Sequence, residues 1–343
     1  MYKKILVILL FIFLTDCSTL VAKYISSQET YHLTGISSSY EDDYKTEKFC
    51  SNTEKSCMSY LIAGPVLRYT VIKGTKFKNE YKFSDGFGND DFIQLELESK
   101  DVATFRGEVV LIHGFLYNKE SMIPMAEYFR YHGFKVLIPD LLGHGKSSGD
   151  KGYGVKDSLI LDQLLSSRED NGLPKLIIGY SLGAITAVAL AEHRQDVYAL
   201  LLKAPMVRFD EATINFSKSY PNIISTFFSE ETIREGAIKA LVQAKVSLAQ
   251  TDILPSISQI KIPTLIMASS NDRISPFSYF EPYHSQNATL VDLDNRSHIG
   301  MGVISDQENV YIKKWLNSKT NKIFQRLNIE EPLTFSAMQT VTK

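Results

Sequence analysis

The chain has 343 residues, 44% of them hydrophobic, and a formal net charge of −2. That length can bury a large core, on the order of two domains at ~150 residues each. With no clustered Lys and Arg to neutralise phosphates, a nucleic-acid surface is excluded.

The first element is a leader. MYKKILVILLFIFLTDCS joins Lys3 and Lys4 to an unbroken apolar run from Ile5 to Leu14, the length of a signal-peptide core and too short to span a bilayer. Its end, LTDC, resembles the lipobox of bacterial lipoproteins, whose cysteine is lipidated and becomes the new N-terminus. The resemblance implies a signal peptide over 1–16, Cys17 as lipid acceptor, and an exported protein tethered to a membrane of the cell envelope, facing the periplasm or the exterior. Asp16 departs from the pattern, which has Gly, Ala or Ser there, so an ordinary secretory signal or an uncleaved anchor stays open. All three readings take the chain out of the cytoplasm. Setting Cys17 aside leaves Cys50 and Cys57 in the polar stretch CSNTEKSC. In an oxidising compartment this pair is expected to close, adding about 2 kcal/mol on the chain-entropy account; two free thiols are the alternative. With no His nearby, a metal site is not expected.

Residues 17–59 are rich in Ser, Thr, Tyr and acidic side chains without a sustained apolar period, and read as a tether and irregular arm. Order is expected from Tyr60. VLRYTVI and FIQLELES have β character, and EVVLIHGF carries the continuous apolar run of a strand covered on both faces. Then a rhythm sets in: a helix around SMIPMAEYFRYHGF, the strand KVLIPD, a helix near Ser158 to Ser167, the strand KLIIGYS, the helix AITAVALAEHR and the strand VYALLLKAPM, with later strands at TLIMAS and TLVDLD. Strands alternating with helices of this length predict an α/β fold: a mostly parallel sheet with helices on both faces.

Within that rhythm GYSLGA stands at a strand-to-helix junction. A G-x-S-x-G pattern places its serine on a sharp turn that lifts the hydroxyl above the sheet edge, and the flanking glycines relieve crowding there. A serine hydroxyl is too weakly acidic to attack an ester alone, so Ser181 needs a base and an acid to orient it. Asp272, in MASSNDRISP, and His298, in VDLDNRSHIGM, follow the next two strands in the chain order this sheet type uses. Asp292 and Asp294 are rival acids and His284 a rival base. Asp272 also suits a plain turn-capping role. Between Arg208 and Ser258 the rhythm breaks for a helix-rich insertion carrying Phe209, Ile214, Phe216, Tyr220, Ile223, Ile224, Phe227 and Phe228. Near the C-terminus, Val310, Ile312, Trp315 and Leu316 are spaced for one face of a closing helix.

HGF (His113 to Phe115), DLLGHGKSSG, GYSLG, NDRISP and SH together resemble the α/β-hydrolase superfamily, nearer its monoglyceride lipase and lysophospholipase-like branch, from about Tyr60 to Leu316. The resemblance implies an α/β-hydrolase core over 60–207 and 259–320, a cap over 208–258 and a C-terminal tail over 321–343. It implies an oxyanion hole from the backbone amides of Phe115 and Leu182, with His113 and His144 bracing the surrounding loops. The cap's aromatics and isoleucines either line an acyl pocket or pack the cap onto the core. No cofactor or metal is called for. The function expected is hydrolysis of carboxylic esters derived from lipids, of monoacylglycerol or lysophospholipid type, by way of an acyl-enzyme. Acyl transfer, thioester hydrolysis or peptide hydrolysis on the same triad is the alternative, with Glu230, Glu231 or Glu235 as the acid a peptidase needs for its substrate's amine. A non-catalytic binding lipoprotein is a third reading. The expected partners are a small acyl ester or lipid and, through the N-terminus, a membrane.

Overall fold

The computed structural model describes residues 16–30, 43–53, 55–66, 76–84, 90–168, 172–220, 223–283, 285–320 and 323–325. The leader run, most of VLRYTVI, His284 and the last eighteen residues lie outside them. Among the described residues ten strands follow one another: β1 (Lys45–Ser51), β2 (Ser56–Ala63), β3 (Lys76–Ser84), β4 (Asp90–Glu98), β5 (Gly107–Ile112), β6 (Phe134–Pro139), β7 (Lys175–Tyr180), β8 (Val197–Lys203), β9 (Thr264–Ala268) and β10 (Ala288–Asp292). Eight make one sheet in the order β1-β2-β6-β5-β7-β8-β9-β10, and β3 pairs with β4 in a separate antiparallel ribbon. From β6 to β10 neighbours run parallel; β1 and β2 are antiparallel additions at one edge.

Apolar continuity explains the centre of the sheet. Every residue of β5, β7 and β9 is buried, as a strand covered on both faces requires. Alternation then divides two cores: Val110, Ile112 and Ile177 point into one, Val109, Leu111 and Ile178 into the other. On the first face lie α1 (Cys17–Ser26), α3 (Val155–Ser167) and α4 (Gly183–His193); on the second, α2 (Ile123–Tyr131) and α10 (Asp306–Lys319). Among the described residues no helix is long and apolar enough to cross a membrane.

The insertion between β8 and β9 contains α5 (Phe209–Ser219), α6 (Ile223–Phe227), α7 (Glu230–Gln243) and α8 (Leu254–Gln259), with α9 (Phe277–Phe280) following β9. Its apolar side chains divide: Phe209, Ile214 and Ile224 are buried, whereas Ile223 and Phe227 stand exposed.

Two expectations change. Residues 17–59 are not an irregular arm throughout, because α1 packs along α7 and β1 and β2 extend the main sheet. The inward stripe of α1 is Ser18, Val21, Ala22 and Ile25, residues small enough to lie against Gly236, where an added Cβ would come within 2.4 Å of Val21; half of that stripe is too weakly hydrophobic to register as a period. β1 is an edge strand with Lys45, Glu47 and Lys48 among its side chains, so it lacks the apolar run of a central one. On α10, Ile312, Trp315 and Leu316 are buried but Val310 is exposed, its position falling outside the buried arc.

Cys50 and Cys57 face each other in the β1–β2 register and are joined by a disulfide. Cys17 is a free, exposed thiol.

Candidate active site

The turn from β7 into α4 carries Ser181 with φ +52°, a left-handed backbone that a non-glycine residue adopts only where its surroundings impose it. Those surroundings are close. Ser181 donates its amide to the Lys203 carbonyl at the end of β8, and its own carbonyl accepts from Ala184 and Met206. A Cβ on Gly183 would lie 2.2 Å from the Ile112 carbonyl oxygen, and one on Gly179 2.5 Å from the Ala184 Cα. The two glycines therefore let α4 and the turn press against β5, which is what raises the serine.

Ser181 meets His298 and His298 meets Asp272. His298 Nε2 lies 3.0 Å from Ser181 Oγ, and Nδ1 lies 2.7 Å from Asp272 Oδ2. Asp272 Oδ1 accepts the amides of Ile274 and Ser275 at 2.8 and 2.9 Å. An ionised carboxylate only accepts, so the imidazole donates Nδ1–H to it and leaves Nε2 bare toward the serine hydroxyl. All three side chains are at least nine-tenths buried. The rival acids stand apart: Asp292 accepts from the amide and hydroxyl of Ser270, and Asp294 is exposed. His284 lies outside the described residues.

The segment after β5 forms the facing wall. A Cβ on Gly114 would lie 3.2 Å from the Ser181 Cβ, which sets the next residue, Phe115, beside Ser181, while Leu182 opens the turn into α4. His113 is fully buried; its Nε2 accepts the Leu141 amide at 3.0 Å, so Nδ1–H donates to the Gly114 carbonyl at 2.7 Å. Burial pushes its pKa down to about 3, and burial together with the nearby His113 and Lys151 does the same for His144. His144 sits between the carbonyls of Leu142 and Phe115, at 2.8 and 2.6 Å. Both rings tie loops together at a distance from the serine–histidine contact. Beneath them, Asp140 is wholly buried, accepts the Lys119 and Lys146 amides, and pairs with the Lys119 ammonium at 2.6 Å. Phe115 stacks on Tyr153, and Phe209 at the start of α5 meets both edge-on; the insertion is thus fastened to the wall of the site by three rings.

Sequence reasoning passed over the residues that hold the histidine loop. Asp91, on the β3–β4 ribbon, accepts the Ser297 amide at 3.1 Å and the Ser297 hydroxyl. Tyr180 donates its hydroxyl to the His298 carbonyl at 2.8 Å. Arg296 reaches the Gly300 carbonyl and Glu308, and Glu308 pairs with the buried Lys203. Only Tyr180, inside the serine motif itself, carried any local signal. Among the described residues no group of His, Cys, Asp and Glu is arranged to hold a metal ion.

The serine aminopeptidase (S33) hydrolase family matches residues 103–247. A solved esterase of Pyrococcus furiosus superposes with a TM-score of 0.59 over 85% of this chain and 98% of its own, at 15% identity. This chain has the α/β-hydrolase fold. The chain also resembles a solved membrane phospholipase A, with a TM-score of 0.51 over 94% of this chain and 100% of that one at 16% identity. In sequence it is 26% identical to a thermostable monoacylglycerol lipase of a Bacillus species over 211 residues, 56% of this chain and 82% of the lipase.

Proposed function

We propose that the hydrolase cleaves carboxylic esters derived from lipids, with Ser181 as nucleophile, His298 as general base and acid, and Asp272 as the group that orients and charge-stabilises the imidazole. The observation that carries the reading is the 3.0 and 2.7 Å relay from Ser181 through His298 to Asp272. Ser181 Oγ attacks the acyl carbon while Nε2 takes its proton. The amides of Phe115 and Leu182 stabilise the oxyanion of the tetrahedral intermediate. Collapse expels the alcohol, which leaves with the proton from Nε2, and an acyl-serine remains. Water, deprotonated by the same nitrogen, releases the acid and restores the serine.

The lipid character of the substrate is supported by the printed names of the similar monoacylglycerol lipase and membrane phospholipase A, and by the aromatic cluster of Phe115, Tyr153 and Phe209 beside the nucleophile. The match to a serine aminopeptidase family keeps amide hydrolysis as a second reading. Against it, Glu230, Glu231 and Glu235 are all exposed on α7, and Glu230 pairs with Lys218, so these acids point away from an enclosed amine site. We also read the leader as an export signal with membrane attachment at or just before Cys17; the cystine and the exposed Cys17 thiol support that reading.

The test is hydrolysis of acyl esters from acetyl to palmitoyl, and of a matched amide panel, by the wild type and Ser181→Ala. Loss of ester cleavage in the variant and an optimum at long chains are expected. A Ser181→Ala protein as active as the wild type would overturn the proposal, and faster amide than ester cleavage would favour the peptidase.

A further inference from the structure

Four of the ten large exposed apolar side chains among the described residues lie on the helices where the N-terminus meets the insertion. Ser18, one residue past Cys17, accepts a hydrogen bond from Lys239 on α7 at 2.6 Å, and Asp16 pairs with the same ammonium. Val21 lies against Gly236, and Ser26 bonds the Tyr153 hydroxyl at 3.1 Å. From its first turn to its last, α1 is fixed to the insertion and to the ring cluster beside the active site. Around it the lobe shows Leu20 (40% exposed), Ile223 (63%), Phe227 (75%) and Val242 (65%). Ile223 and Phe227 stand one helical turn apart, which puts both on the same side of α6.

We propose that this lobe, formed by α1, α6 and α7, is the face the hydrolase lays on a lipid bilayer. The inference rests on the reading of the leader as a membrane attachment. Two forms of attachment are open, and they converge. If Cys17 is lipidated, the acyl chains leave from the first residue of α1. If the leader is retained, the apolar run ends at Leu14, within ~7 Å of Asp16 for an extended chain. Neither leaves slack between the membrane and a helix already bound to α7, so the bilayer lies within side-chain reach of the lobe. Large apolar side chains left in water at that place have an occupant in the interfacial acyl region, where amphipathic helices bury one face ~5–10 Å deep. The ester-bearing ends of membrane lipids would then be presented to the side of the protein on which α1 and the insertion meet the ring cluster of Phe115, Tyr153 and Phe209.

The experiment uses the full chain, expressed with its leader, purified in detergent and returned to phosphatidylethanolamine–phosphatidylglycerol vesicles with or without bromine on the acyl chains. Phe227→Trp reports on the lobe; Val310→Trp, exposed on α10, reports on a distant surface; and the unaltered chain supplies the background of buried Trp315. Cleavage of a soluble short ester, left unchanged, certifies folding. The expected result is a blue-shifted Phe227→Trp signal that brominated lipid quenches by about half or more, as an interfacial depth requires, with Val310→Trp unquenched. Protein that floats with the vesicles while Phe227→Trp stays unquenched would overturn the docking and leave the attachment standing. Quenching of both probes would overturn the orientation. A full chain that fails to float with vesicles would remove the attachment and the docking with it, whatever its esterase activity.

Discussion

Replacing Asp91 tests whether the ribbon positions His298, the proposed general base. Its carboxylate is buried and receives the amide and hydroxyl of Ser297, the residue before His298. Gly300 packs so tightly over it that an added Cβ would lie 1.9 Å from Asp91 Oδ2. Asp91→Ala strands two buried donors, each costing ~1–3 kcal/mol when left unmet, so the closed form of the loop loses about 2–6 kcal/mol against relaxed alternatives. A loop that relaxes carries the imidazole off its line to Ser181, and a displacement near 1 Å is worth about 10²-fold in rate. The expected outcome in steady-state ester hydrolysis is a fall of kcat by about one to two orders of magnitude, with KM nearly unchanged because Asp91 does not belong to the substrate wall. Asp91→Asn keeps one acceptor oxygen and should recover most of the rate. An Asp91→Ala enzyme with wild-type kcat, even one of lower melting temperature, would refute the reasoning, since it would show the histidine placed without the ribbon.

Three further outcomes follow from the geometry. Asp272→Asn offers its amide in place of an acceptor and frees the wrong imidazole tautomer, so kcat should fall about 10⁴-fold; a loss under tenfold would deny Asp272 its role. Gly183→Ala drives a methyl into the Ile112 carbonyl oxygen at 2.2 Å and should leave insoluble or inactive protein, whereas a soluble variant with an unshifted melting curve would show that the turn has room to spare. Acid should destabilise the fold: burial holds the pKa of His113 and His144 at about 3 and of His132 at about 4, below the ordinary 6.5, so the unfolded chain binds protons that the folded one refuses. The stability contributed is fully present above pH ~6.5 and drains as pH falls toward those values, with a slope of about 1.4 kcal/mol per pH unit for each imidazole. Urea titrations at pH 7 and pH 5 read it, and replacing His113 by Gln should flatten the slope.

What could be read from the residues depended on how much each element relied on its own chemistry. The strands Val109–Ile112, Leu176–Ile178 and Ala199–Leu202 are unbroken aliphatic runs because both of their faces are covered, so their sequence reports their place directly. Ser181 was legible because its turn demands glycine on either side, and Asp272 and His298 because strand ends come at regular intervals. Asp91 was not, since an Asp near the start of a strand looks alike whether it faces water or a loop more than two hundred residues away. β4 alternates clearly in burial, yet nothing local says that it pairs in a ribbon with β3 and not in the main sheet. The docking of α1 was hidden for a different reason: its partner is a glycine on α7, and close approach is written in missing atoms, with no apolar stripe to reveal it.

The two ends of the sheet are unequal in a way that matters for the protein at high concentration. An unpaired strand edge is a template for another copy of the same strand. At one end β1 offers Lys45, Glu47 and Lys48 and is stapled to β2 through Cys50 and Cys57, so a neighbouring molecule meets charge and a strand that cannot peel away. At the other, β10 shows Thr289, Leu290 and Val291, all half-buried and none of them charged. Self-association of a stressed or partly opened molecule should therefore begin at β10, and a single lysine there would be the most economical way to make the protein more tolerant of high concentration.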